Sequence, residues 1–163
     1  MLHEAPQVLI ALEQSGLAAA IRQSVWAYPA ANVGHIVALT LFAGSVAIMD
    51  VRLLGAFAAA PPADVVRPAR RAAMLGLLLM AVTGSVLFTA EASHVGLNPV
   101  FQIKAALIAL GLLNALFAGR ALDAVLADTP AHVPLPGRVR LSALLSVAIW
   151  ISVAACGRLI AYF

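Results

Sequence analysis

The sequence predicts an all-α integral membrane protein: an antiparallel four-transmembrane-helix bundle with an N-terminal amphipathic helix, both termini outside. Three observations carry this prediction. Hydrophobic residues make up 63% of the 163 and charged residues 10%, with mean hydropathy +1.00. A soluble domain holds about 45–50% apolar and about 25% charged residues. The remaining charges cluster between long apolar runs, and the basic ones fall unequally on alternate connections. A soluble globule, a disordered chain, a collagen and a coiled coil are excluded on composition.

Two regions follow, an amphipathic segment over 1–25 and the bundle over 26–163. Residues 7–23 read as one amphipathic helix, with Val8, Leu9, Leu12, Leu17 and Ile21 apolar and Glu13, Gln14, Arg22 and Gln23 polar. It is too polar to span and is expected on the membrane surface or against the bundle. The run Val8 to Leu12 is short and flanked by Glu4 and Glu13, unlike a signal peptide. The first span is therefore expected to act as an uncleaved signal-anchor.

Residues 24–49 contain no Asp, Glu, Lys or Arg. Trp26 and Tyr28 are placed as interfacial aromatics and Pro29 suits a helix opening, so the first span is set at 29–50. A loop with Pro61-Pro62 and the basic group Arg67, Arg70 and Arg71 follows. The charge-free run 72–90 is the second span, about one bilayer thickness at about 1.5 Å per residue. Glu91, His94 and Gly96 form a short polar connection. Asn98-Pro99 opens the third span, 99–119, with Asn as N-cap and Pro at the first helical position. A polar loop with Pro130, Pro134, Pro136 and Gly137 precedes the fourth span, 141–163. Spans of this length with short connections form a bundle.

Orientation follows from Lys and Arg. Arg52, Arg67, Arg70, Arg71, Arg120, Arg138 and Arg140 lie on one side, and Arg22, Lys104 and Arg158 on the other. Seven against three puts both basic loops in the cytoplasm and both termini outside, in the periplasm of a Gram-negative cell. The basic excess is thereby explained as topology, and no basic run with interleaved aromatics suggests nucleic acid. The single Cys156 cannot form an intrachain disulfide.

Orientation also sorts the chemistry. Arg22, Tyr28, His35, Glu91, His94, Lys104 and Arg158 belong to the outer half, where a bundle can converge them on one pocket. His35 is the sharpest candidate, two turns below Tyr28. Neutral imidazole ligates metals and haem iron, and the plainer reading is a histidine hydrogen-bonded to a neighbouring helix. His94 is a candidate second ligand, to haem b or to copper, or else a solvated histidine. His3 is a weaker candidate, and His132 lies on the opposite side.

Lys104, Leu107, Gly111 and Asn114 share one face of the third span. Asn114 is expected to hydrogen-bond between helices, and Lys104 to snorkel or to bind an anionic group such as a haem propionate. Arg158 can snorkel, pair with Glu91 or anchor carboxylates. Asp50 and Arg52 end the first span. A local ion pair of Asp50 with the basic loop is expected there, with a proton uptake point as the alternative. Gly34, Gly44, Gly76, Gly84 and Gly111 are expected to permit close helix packing. No nucleophile elbow, phosphate loop, zinc-protease motif or CxxC occurs.

Four stretches, GHIVALTLFAGSVAIMDVRLLG (34–55), AVTGSVLFTAEA (81–92), NPVFQIKAALIALGLLNALF (98–117) and GRLIAYF (157–163), resemble an uncharacterised family of small four-helix bacterial inner-membrane proteins. More distantly, the His of span one, its following Gly and Phe101-x-x-Lys104 are similar to copper-resistance D type membrane domains and to HemJ-type protoporphyrinogen oxidase. The resemblance marks His35, Asp50, Arg52, Asn98, Lys104, Asn114 and Arg158. It does not mark His94, which counts against a bis-histidine site. Together these features suggest an inner-membrane haem- or metal-binding redox protein. Its site would use His35, with His94, Lys104 and Arg158 around it, and it would exchange electrons with a quinone or a periplasmic partner. A non-catalytic subunit of a larger complex and a copper-handling transporter are the alternatives, and homo-oligomerisation is compatible with each.

Overall fold

A computed structural model of the chain describes residues 5–162, the side chains of 120, 121 and 128 excepted. His3 lies outside the described residues. Those residues fold into seven helices: α1 Gln7–Glu13, α2 Gly16–Gln23, α3 Ala27–Leu54, α4 Pro62–Ala90, α5 Ala92–Leu97, α6 Pro99–Asp128 and α7 Gly137–Leu159. Four of them, α3, α4, the 99–119 stretch of α6, and α7, are long and apolar enough to cross a membrane. The protein is a multi-pass membrane protein.

The spans fall where the apolar runs place them, but the helices outrun them. α4 begins at Pro62, ten residues ahead of the expected start at 72, and α6 continues to Asp128 rather than stopping at 119. Hydropathy marks where lipid begins. It says nothing against a helix continuing into water, where Arg67, Arg70 and Arg71 are ordinary helix formers. Pro62 holds the first helical position of α4, where a missing N–H costs nothing.

Other boundaries follow local chemistry. The expected single helix over 7–23 is two helices, because Ser15 ends one and caps the next. Its hydroxyl donates to the Leu12 carbonyl at 2.6 Å and accepts from the Ala18 amide at 3.2 Å. α3 stops at Gly55, whose φ of +119° suits glycine alone, with its amide and that of Ala56 satisfying the carbonyls of Arg52 and Val51. The expected polar connection after Ala90 is the short helix α5. Asn98 caps α6 as anticipated, its Oδ1 accepting from the amides of Val100 and Phe101 at 2.9 and 3.3 Å.

α3 and α4 pack along their whole length, and α6 packs on α7. α3 also meets α7, while α4 and α6 scarcely touch. Small residues set the approach. A Cβ on Gly76 would lie 2.8 Å from the Phe42 amide nitrogen, and one on Gly111 2.8 Å from the Trp150 ring. One apolar core gathers Leu53, Val66, Leu122, Leu126 and Val139 at the Arg-rich end, and a second gathers Phe42, Val46 and Ala73 midway. Ile36, Leu78, Ile103 and Ile151 are all more than half exposed, as a lipid-facing surface requires.

Candidate functional site

At the end of the bundle nearer the termini, α3 and α4 hold His35 in a fixed orientation. Its Nδ1 lies 2.9 Å from Thr83 Oγ1. The Thr83 hydroxyl also lies 2.7 Å from the Leu79 carbonyl, and when it donates there its oxygen accepts from the Nδ1–H of His35. In the neutral ring this leaves Nε2 as the lone-pair nitrogen. The ring lies against Gly84, where a Cβ would come within 3.2 Å of Cε1. Lys104 reaches the same region from α6. Its Nζ occupies space left by Gly157 of α7. Thr83 was not singled out in sequence, and only the α3–α4 register reveals it.

His94 does not join this cluster. It is exposed on α5, and α4 rises about 12 Å between Thr83 and Glu91 before α5 even starts. Among the described residues no three His, Cys, Asp or Glu side chains converge as a metal-ligand set. Arg158 is exposed and engaged locally, donating to the Tyr162 hydroxyl at 2.6 Å with its guanidinium 4.9 Å from that ring. The pairing of Arg158 with Glu91, one of the alternatives, is not made. Glu91 instead accepts from the Tyr28 hydroxyl at 3.5 Å.

The amphipathic segment clasps the α4–α5 junction. Arg22 donates to the carbonyls of Ala90 and Glu13, at 2.9 and 3.0 Å, satisfying an orphan acceptor at the end of α4. The Glu13 carboxylate accepts the Ser93 amide at 2.6 Å, an orphan donor at the start of α5. That amide bond, and then the Arg22 charge, hold the Glu13 carboxyl below its usual range.

Midway along the bundle a cavity of about 370 Å³ lies where α4 and α6 part. Phe42 and Trp150, packed edge-on at 4.6 Å, form one wall. Leu77, Leu116 and Ala115 line it from α4 and α6, and Asp50, Arg70, Asn114, Ser142 and Ser146 supply polar groups. Asp50 is 1% exposed, and its Oδ2 has no hydrogen-bond partner. The expected ion pair with the basic loop is not made. Asp50 faces α7 and Ser146, whereas Arg70, on a helical turn of α4, pairs with Asp123 at 2.8 Å. Asn114 behaves as expected, donating to the Ser142 carbonyl at 3.0 Å and accepting from its hydroxyl at 2.9 Å. Arg52 is buried at the end of α3 and donates to the Ala60 carbonyl at 2.7 Å.

A family model described as a family of unknown function (DUF6644) matches residues 13–163. The chain belongs to that family. The match to DUF6644 takes in α2 to α7, so it covers His35, the Asp50 cavity and both partners of the Glu13–Ser93 bond. No curated protein and no solved structure matches this DUF6644 chain.

Proposed function

We propose that the protein is a haem- or metal-binding redox protein of the bacterial inner membrane, with its site around His35 and Lys104. The observation that carries this reading is the Thr83–His35 bond. Metal-ligating histidines donate their second ring N–H to an oxygen, which fixes the tautomer and aims the free nitrogen. Here Thr83 takes that role and Nε2 is the ligand. The Lys104 ammonium is half-buried, and the only ion pair among the described residues joins Arg70 and Asp123. It suits an anionic group such as a haem propionate. A haem b, or alternatively copper, would supply a one-electron couple. With His94 exposed on α5 and Arg158 engaged by Tyr162, the protein supplies one histidine ligand and one cationic anchor.

The neighbouring residue pairs 35–83 and 42–76, and 111–150 and 114–142, support antiparallel neighbours. The arginine distribution supports cytoplasmic basic loops and periplasmic termini. A lipid-borne quinone is the electron partner that the apolar α4–α6 cavity suits. The test is an optical spectrum with metal analysis on detergent-purified protein. A Soret band shifting on dithionite reduction, or stoichiometric copper, lost in His35→Ala, is expected. Colourless, metal-free protein from haem- and copper-replete cells refutes the reading.

A further inference from the structure

At the Arg-rich end a separate pocket of about 170 Å³ lies where α3 stops and α7 starts. The two connections that wall it are tied by the His132 amide, which donates to the Ala58 carbonyl at 2.9 Å. Arg52, His132 and Arg140 line it, and among the described residues no carboxylate does.

Arg52 is the unusual member. It is 2% exposed, yet among the described residues its guanidinium bonds only the Ala60 carbonyl, and its Nε finds no partner. A guanidinium remains protonated at any physiological pH and so cannot escape burial by neutralising. A buried charge without a counter-ion is costly. The pocket also lies beside the first turn of α7, where the helix dipole adds partial positive charge. The polar side chains facing this space, Arg52, His132 and Arg140, favour an anion.

We propose that the pocket binds a phosphate-bearing anion, held by Arg52 from within and Arg140 at the mouth. The planar fork of arginine matches phosphate oxygens two at a time. The position, at the ends of membrane-crossing helices on the side carrying most of the arginines, is the level of lipid headgroups. The same chemistry also admits a free phosphate. The site is independent of the haem reading, since neither His35 nor Lys104 lines it.

The test is calorimetric titration of the full chain in dodecyl maltoside with dioctanoyl-phosphatidylglycerol, inorganic phosphate and dioctanoylglycerol. Saturable binding of one phosphate-bearing ligand per chain is expected, with none of the phosphate-free diacylglycerol. Arg52→Gln should abolish it and Arg140→Gln should weaken it at least tenfold. Because Arg140 is exposed, the second variant keeps the test valid if Arg52→Gln does not fold. Phospholipid binding that inorganic phosphate does not displace identifies a headgroup, and displacement identifies free phosphate. Both results sustain the site. No saturable binding, equal binding of dioctanoylglycerol, or an unchanged affinity in Arg140→Gln overturns it.

Discussion

Replacing Gly76 by alanine tests how α3 and α4 are held together. The added Cβ would lie 2.8 Å from the Phe42 amide nitrogen and 2.9 Å from its Cα. Ordinary contact begins near 3.4 Å, so the helices must part locally by roughly 0.6 Å. Overpacking of this kind costs about 1–3 kcal/mol. The upper half of that range applies, because the obstructing atoms are backbone and cannot rotate away. Alanine returns about 0.8–1 kcal/mol of helix propensity over glycine. The net expectation is a loss of about 1–2 kcal/mol. Gly44 supplies the control: nothing lies within 4 Å of its would-be Cβ, so Gly44→Ala should be neutral or slightly stabilising. Unfolding in mixed micelles, titrated with SDS and followed by circular dichroism, measures both. If the two variants unfold at the same SDS fraction, the close approach at Phe42 is not what sets the α3–α4 distance. Phe42 also walls the central cavity, so Gly76→Ala should alter that space as well.

Three further outcomes are expected. Thr83→Val removes the oxygen that orients His35 and should weaken haem or metal retention about 10–100-fold, read by transfer to an apo-haem acceptor or a copper chelator; unchanged retention would remove Thr83 from the site. The Glu13 carboxyl is held below its usual pKa of 4.5 in the folded chain. Its contribution is therefore complete above that value and is lost as pH falls through the lower folded value. The difference in melting temperature between wild type and Glu13→Gln should stay constant above about pH 5 and shrink in acid; a difference unchanged at pH 3 refutes the Ser93 bond as its source. Finally, Asn114→Leu and Ser142→Ala should each cost about 0.6 kcal/mol, up to about 1.7 kcal/mol. A double-mutant cycle should show them coupled, and additive losses would mean that the two side chains do not support each other.

The bundle was legible because apolar runs of bilayer length leave few alternatives. Asn98-Pro99 fixed the start of α6 to the residue, since a cap and a following proline are local signals. Asn114 was read correctly as an interhelical donor and acceptor, because a carboxamide in an apolar span must find a partner. What escaped was whatever depends on pairing distant residues. Glu13 and Ser93 are 80 positions apart, and His35 and Thr83 are 48 apart. Nothing in their spacing announces either bond. Asp50 was expected to seek the nearby arginines. It lies on the α7-facing side of α3, while Arg70 on α4 is taken by Asp123. The helical turns beyond the membrane were missed for a related reason, since their polarity resembles that of a loop while their backbone does not.

The parting of α4 from α6 bears on how any occupant of the central cavity is to be counted. A molecule that arrives sideways through lipid is supplied from a two-dimensional solvent, and its activity there is a mole fraction of the bilayer rather than a molarity. Strongly lipophilic compounds will look potent when dosed by volume merely because they concentrate in the membrane, and polar analogues will look weak for the opposite reason. Affinities compared per lipid will rank compounds by their fit to Asp50, Phe42 and Trp150, and those compared per litre will rank them by oil–water partition.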